Sequence, residues 1–247
     1  MLRTTSSMKG TTIAATDGDI GSIQDLYFDD LTWTIRYLVV DTGTWLPGRR
    51  VLISPMSVRA STASGKVAVA LTKGQVENSP SVDTDLPVNR QYEEEYSSYY
   101  GYPPYWSGPY RWGTMAYPGE LAPAAGTIST DAAMPSGDPT LRSTRDVTGY
   151  YIEATDGDIG HVEDFMVDDR AWAIRYMMVD TRNWWPGKKV IVSPEWIRSV
   201  SWTDSKVRVG LTREGVKTAP EFDPEHPLER DYETRLYTHY GRRNYWD

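Results

Sequence analysis

A chain of 247 residues with a formal net charge of −8 and no cysteine has room for one large domain or two small ones. The acidic balance disfavours nucleic acid as a main partner, because gripping phosphates takes Lys and Arg that displace counterions. The missing thiols exclude disulfides, thiolate metal sites and cysteine nucleophiles.

The opening MLRTTSSMKGTT lacks the apolar stretch of about 7–15 residues that a secretory signal needs. No run approaches the ~18–20 apolar residues of a membrane span, so a soluble, cytoplasmic protein is expected. Three Phe stand against 17 Tyr and 10 Trp. The core should therefore be thin, with half-buried rings whose polar atoms need partners.

Residues 15–21 read ATDGDIG, and the same letters return at 154–160. The flanking TTIAAT and GSIQDLYF are strand-like, so Asp17-Gly18, and Asp156-Gly157 after it, predict a two-residue hairpin turn. A polar turn DDLTW follows, then the strands TIRYLVVD, VLIS and KVAVAL, with TIRYLVVD placing Ile35, Tyr37 and Val39 on one face. Next come two helical pieces. Thr72 stands three residues before Gln75, a capping-box spacing, and Tyr92, Tyr96 and Tyr100 recur every four residues as one aromatic face, with Gly101 as the stop. Such a stripe is read as a packing face.

The repeat extends far beyond seven letters. An offset of 139, from Asp17 to Asp156, holds from Leu2-Arg3 against Leu141-Arg142 to Ser54-Pro55 against Ser193-Pro194. An offset of 140 then pairs Tyr92-Glu93 with Tyr232-Glu233 and Tyr105-Trp106 with Tyr245-Trp246. The expected organisation is mainly β: a small barrel with a helical tail at 1–107, a Pro/Gly/Ala-rich linker at 108–140, and a second barrel with a helical tail at 141–247. The Tyr/Trp cluster GYPPYWSGPYRW at the linker's start is either an irregular tether or part of a domain.

The order of DGDIG, D-[LF]-x-[FV]-D-D, W-x-I-R-Y-x-x-V-D and W-x-P-G-[RK]-[RK]-V-x-I-S-P resembles the PRC-barrel family. The residues concerned are Asp17 to Gly21, Asp25, Asp29-Asp30, Trp33, Arg36, Asp41, Pro47-Gly48 and Ser54-Pro55. Their counterparts are Asp156 to Gly160, Asp164, Asp168-Asp169, Trp172, Arg175, Asp180, Pro186-Gly187 and Ser193-Pro194. The module also forms the cytoplasmic domain of the photosynthetic reaction-centre H subunit and the C-terminal domain of ribosome maturation factors. The resemblance implies a bacterial docking or scaffold protein with two barrels, no catalytic residue and no cofactor. A reaction-centre-associated role supporting electron and proton transfer, or help in RNA processing, are the alternatives it carries. The implied partner is a protein, with a membrane-bound complex at its cytoplasmic face, and so a peripheral place at the inner membrane, as one form of it. Self-association is a further option.

The chemistry-bearing patterns also have ordinary structural readings. A calcium loop starting at Asp17 would place Gly21, Ser22 and Phe28 at positions that need oxygen ligands, glycine and a bidentate Glu, so the ligand set fails and no metal is expected. LVVDTGT imitates the aspartic-protease signature, but the second copy reads MVDTRNW, with Arg182 where glycine's backbone freedom is needed. The three histidines, His161, His226 and His239, stand near no nucleophile elbow.

One surface feature survives. Trp45, Arg49 and Arg50, with Trp184, Trp185, Lys188 and Lys189, place large rings beside two cations on a turn. Aromatics and Arg are enriched at binding hot spots. The same rings would also serve to plug a barrel end while the cations solvate its rim.

Overall fold

The computed structural model describes residues 1–61, 65–82, 88–118, 140–181, 189–224 and 226–247. The first copy's elements are β1 (Leu2–Thr4), α1 (Thr5–Met8), β2 (Thr12–Ala15), β3 (Gly18–Asp29), β4 (Thr34–Asp41), β5 (Arg50–Ile53), β6 (Val58–Ser61), β7 (Val67–Val69), α2 (Lys73–Glu77) and α3 (Arg90–Tyr100). The second copy supplies β8 (Leu141–Ser143), α4 (Thr144–Val147), β9 (Tyr151–Ala154), β10 (Gly157–Asp168), β11 (Ala173–Asp180), β12 (Lys189–Val192), β13 (Ile197–Ser201), β14 (Lys206–Val209), α5 (Arg213–Thr218) and α6 (Arg230–His239). The protein is mainly β.

Two compact units partition these elements. The first contains Met1, Thr5–Arg145 and Asp168–Ala173; the second contains Leu2–Thr4, Asp146–Val167 and Ile174–Asp247. In the first unit the strand order is β6-β7-β2-β3-β4-β5, with β8 added to β3. In the second it is β13-β14-β9-β10-β11-β12, with β1 added to β10. Within the units, β2 with β7 and β9 with β14 run parallel, while β2–β3, β3–β4, β3–β8, β4–β5, β6–β7, β9–β10, β11–β12 and β13–β14 are antiparallel.

The repeated hairpin forms with its tip one residue ahead of the expected position. Ala15 pairs with Gly18 and Ala154 with Gly157, so the two-residue turns are Thr16-Asp17 and Thr155-Asp156. The positive backbone angle falls on the glycine that opens the next strand, with φ 140° at Gly18 and 135° at Gly157. Gly21 has another task. It lies at a break in the β2–β3 register, and a Cβ there would stand 2.0 Å from the carbonyl oxygen of Asp41. The matching Cβ on Gly160 would stand 2.0 Å from the carbonyl oxygen of Asp180. Only a residue without a side chain lets two strands approach so closely.

β4 is buried on both faces, from Thr34 through Val40. Ile35, Leu38 and Val40 are wholly inaccessible, while Tyr37 and Val39 join Tyr27, Leu52, Tyr96 and Leu141 in a cluster that Tyr92, Tyr100 and Tyr102 pack against. The α3 tyrosine stripe therefore covers the sheet's other face, as its four-residue spacing predicts. Asn89 caps α3 through a bond from the Tyr92 amide at 2.9 Å, and Gly101 ends it in the left-handed region. The Thr72–Gln75 capping box forms with both arms. In the second unit Gly215 replaces the glutamine, so only the Thr212 arm remains, accepting from Gly215 N at 3.1 Å.

Candidate functional site

The turn between β4 and β5 is organised by its own backbone. Asp41 Oδ1 accepts the Gly43 amide at 2.8 Å, Trp45 N donates to Thr42 O at 3.3 Å, and Arg49 N donates to Leu46 O at 3.0 Å. Gly43 and Gly48 take φ of 59° and 76°, which bulkier residues resist. Asp41, which heads the protease-like letters, thus serves as a turn acceptor.

Of the residues singled out from sequence, Trp45 is half-buried under the Lys73 ammonium, which lies 4.6 Å from the ring centroid. Arg49 turns away from solvent: its guanidinium donates to the carbonyl of Glu77, and to that of Ser79 at 2.7 Å, satisfying acceptors at the C-terminal end of α2. Arg50 opens β5 on an exposed position. Lys189 occupies the matching place in β12 and pairs with Glu163. Trp184, Trp185 and Lys188 lie outside the described residues.

The hairpin aspartates do more than turn the chain. Asp17 Oδ1 accepts the amide of Lys73 at 2.8 Å, and Asp156 Oδ1 accepts that of Arg213 at 2.7 Å, so each docks the start of a helix onto a hairpin. Asp19 faces elsewhere, pairing with Lys66 Nζ at 2.7 Å.

A polar cluster beneath the helical tail escaped the sequence reading. Asp29 and Arg36, only 0% and 3% exposed, form a buried ion pair. Arg36 Nε and Nη2 both lie 2.7 Å from Asp29 Oδ2, while Asp29 Oδ1 accepts the Thr32 amide at 2.6 Å. The guanidinium lies 3.8 Å from the Tyr105 ring centroid and 4.8 Å from that of Trp112, and its Nη1 donates to Arg111 O at 2.5 Å. Next to it, the buried Glu93 accepts from Tyr105 Oη at 2.7 Å, Tyr37 Oη at 3.3 Å and Arg90 Nη1 at 2.8 Å. Burial pushes the Glu93 carboxyl above its ordinary range, and the Tyr105 hydrogen bond with the Arg90 and Arg36 charges restrains the rise.

The second unit builds a like cluster. Glu233 Oε1 accepts from Tyr176 Oη at 2.8 Å and Tyr245 Oη at 3.1 Å, Arg230 lies 3.1 Å from Glu233 Oε2, and Arg175 stacks 4.1 Å over the Tyr245 ring. The signal for it stood in the offset: Arg36-Tyr37, Arg90, Glu93 and Tyr105-Trp106 all recur as a set. Such preservation of polar residues across two faces of one sequence is what a shared buried network demands.

The segment from 108 to 118 also packs. Trp112 is 1% exposed, and bridges join Tyr110 to Gly113 and Trp112 to Met115. Composition alone placed it at the head of a linker, since Gly and Pro mark tight packed turns as readily as tethers. Residues 119–139 lie outside the described residues.

Among the described residues no helix is long and apolar enough to cross a membrane. No curated protein matches the chain. The family model described as the PRC-barrel domain matches residues 3–76, running from β1 into α2. With its DGDIG hairpin, its W-x-I-R-Y strand and its S-P turn on that matched stretch, the chain carries a PRC-barrel domain in its first part.

Proposed function

We propose that the chain is a non-enzymatic docking protein built from two PRC-barrel domains, the second copy closing on the plan of the first. The common strand order of the two units supports the tandem reading. The observation that carries the docking reading is the occupation of four of the first unit's carboxylates by the fold itself. Asp17 holds a helix start, Asp25 holds Ser143 and Thr144, Asp29 holds Arg36, and Glu93 holds two tyrosines and Arg90. Acid–base chemistry needs a carboxylate aimed at a substrate, and these are aimed at their own chain. What the domain offers outward is the rigid turn with Trp45 and the exposed Arg50, whose geometry is set before any partner arrives.

The test is capture of partners on the immobilised full chain, comparing wild type with a Trp45→Ala/Arg50→Glu variant of unchanged far-ultraviolet circular dichroism and urea midpoint. A protein retained by the first and lost by the second is the expected result. Identical captures from both would remove the turn from the interface. Peptide hydrolysis at acid pH that Asp41→Asn abolishes would overturn the non-enzymatic reading.

A further inference from the structure

The first unit is completed by chain that arrives from beyond residue 139. β8 pairs antiparallel with the far end of β3, placing Ser143 opposite Tyr27, Arg142 opposite Phe28 and Leu141 opposite Asp29. Both ends of the added strand are held by carboxylates. Buried Asp25 accepts from Ser143 Oγ at 2.5 Å, Thr144 Oγ1 at 2.9 Å and Arg145 N at 3.3 Å. Asp30 accepts from Thr140 N at 2.9 Å and Arg142 Nε at 3.2 Å, and its own amide donates to Thr140 O at 3.1 Å. Between them Leu141 enters the apolar cluster of Tyr27, Tyr37, Val39, Leu52 and Tyr96.

In the second unit the corresponding place on β10 is filled by β1, from the other copy's opening segment. The two inserts read LRTT and LRST. They share the leucine that fills the apolar site, the arginine that reaches Asp30 in the first unit, and two hydroxyls in the places of Ser143 and Thr144.

We propose that the groove along β3 between Asp25 and Asp30 is a strand-acceptor site, and that its second occupant is the same segment, residues 140–144, of another copy of this chain, so that the protein self-associates by strand exchange. An empty groove would strip buried Asp25 of its Ser143, Thr144 and Arg145 donors, leaving it the Leu26 amide and Lys9 at 4.0 Å, and would leave a row of ladder groups unpaired, both costly. It is therefore filled in every folded state. The contacts are the same whether the insert comes from its own chain or from another, so concentration alone selects between them. This inference is independent of the docking reading, because it uses neither Trp45 nor Arg50.

Asp30 and Thr140 are ladder neighbours, close enough for a disulfide, and the chain has no cysteine of its own. Full-length Asp30→Cys and Thr140→Cys chains are mixed, unfolded, refolded together at increasing concentration and oxidised, and intact masses are read. A dimer linked through positions 30 and 140, rising with concentration and absent from chains mixed while folded, is expected. The Asp30→Cys/Thr140→Cys double variant should close within one chain when refolded dilute. Failure of that closure would deny the strand pairing itself. Wild type that stays monomeric by light scattering at every refolding concentration overturns the proposal. So do dimers that lack the 30–140 link while the double variant closes.

Discussion

Asp17 and Lys73 are 56 positions apart, yet the carboxylate of one accepts the backbone amide of the other at 2.8 Å. The bond closes an orphan donor at the start of α2, and in doing so it ties a hairpin to a helix that sequence distance gives no reason to associate. Capping carboxylates of this kind are worth roughly 0.5–2 kcal/mol. Asp17→Ala should lower the urea midpoint by a corresponding amount, Asp17→Asn by less because an acceptor oxygen remains, and Asp156→Ala should act likewise through Arg213. The same loop read as a calcium site would make unfolding depend on added Ca²⁺ or chelator, and no such dependence is expected.

Gly21→Ala places a methyl 2.0 Å from the Asp41 carbonyl, a contact that only backbone movement relieves. Overpacking of this kind costs about 1–3 kcal/mol. Gly10→Ala is the control: its φ of 80° is positive, as Gly21's 157° is, but nothing lies within 4 Å of the new atom. Its cost should stay near the ~1–2 kcal/mol of the left-handed conformation alone. Equal losses in the two variants, measured by denaturant unfolding, would show that strand approach is not what the second glycine of DGDIG serves.

Arg36→Ala strands the Asp29 carboxylate without its cation and empties the slot between Tyr105 and Trp112. Removing one member of a buried pair costs about 3–5 kcal/mol. Arg36→Lys keeps the charge but loses the planar fork and the stacking, so it should recover only part of the loss. A full recovery by lysine would mean that charge alone matters at this position. Tryptophan fluorescence should report loosening of Trp112 in the alanine variant before global unfolding.

The Glu93 carboxyl, raised above its ordinary 4.5 by burial, imposes a pH dependence of definite sign. At low pH it is protonated in both folded and unfolded chains and costs nothing. As pH climbs through the ordinary carboxylate range the unfolded chain ionises first, so stability falls until the folded group ionises too, and is level above that. Glu93→Gln abolishes this component. Unfolding free energies measured for both proteins across about pH 4–8 should show wild type losing stability relative to the variant as pH rises. Parallel curves would remove the buried carboxyl from the account.

The local elements were open to reading because their causes are local. A Thr72–Gln75 box, a glycine stop at 101 and a four-residue tyrosine spacing each act within a turn or two of chain, and each forms as written. The alternation in TIRYLVVD predicted a strand, and the offset between copies predicted that whatever one does the other repeats. The half-buried character of that strand was another matter. Both of its faces are covered, because the tyrosine face of α3 finds the sheet from fifty residues downstream, and no period in the strand itself encodes a distant helix.

The sequence by itself determined the element types, the duplication, the family resemblance and the exclusion of thiol chemistry, since composition, spacing and short-range sterics suffice for those. Tertiary structure alone decided the partners of the polar side chains. It gave Arg49 to the end of a helix, Arg36 to Asp29 beneath two rings, and Asp25 to a strand from the other side of residues 119–139. The physical reason is that a charge is committed by desolvation, and desolvation depends on which surfaces meet after the chain has folded.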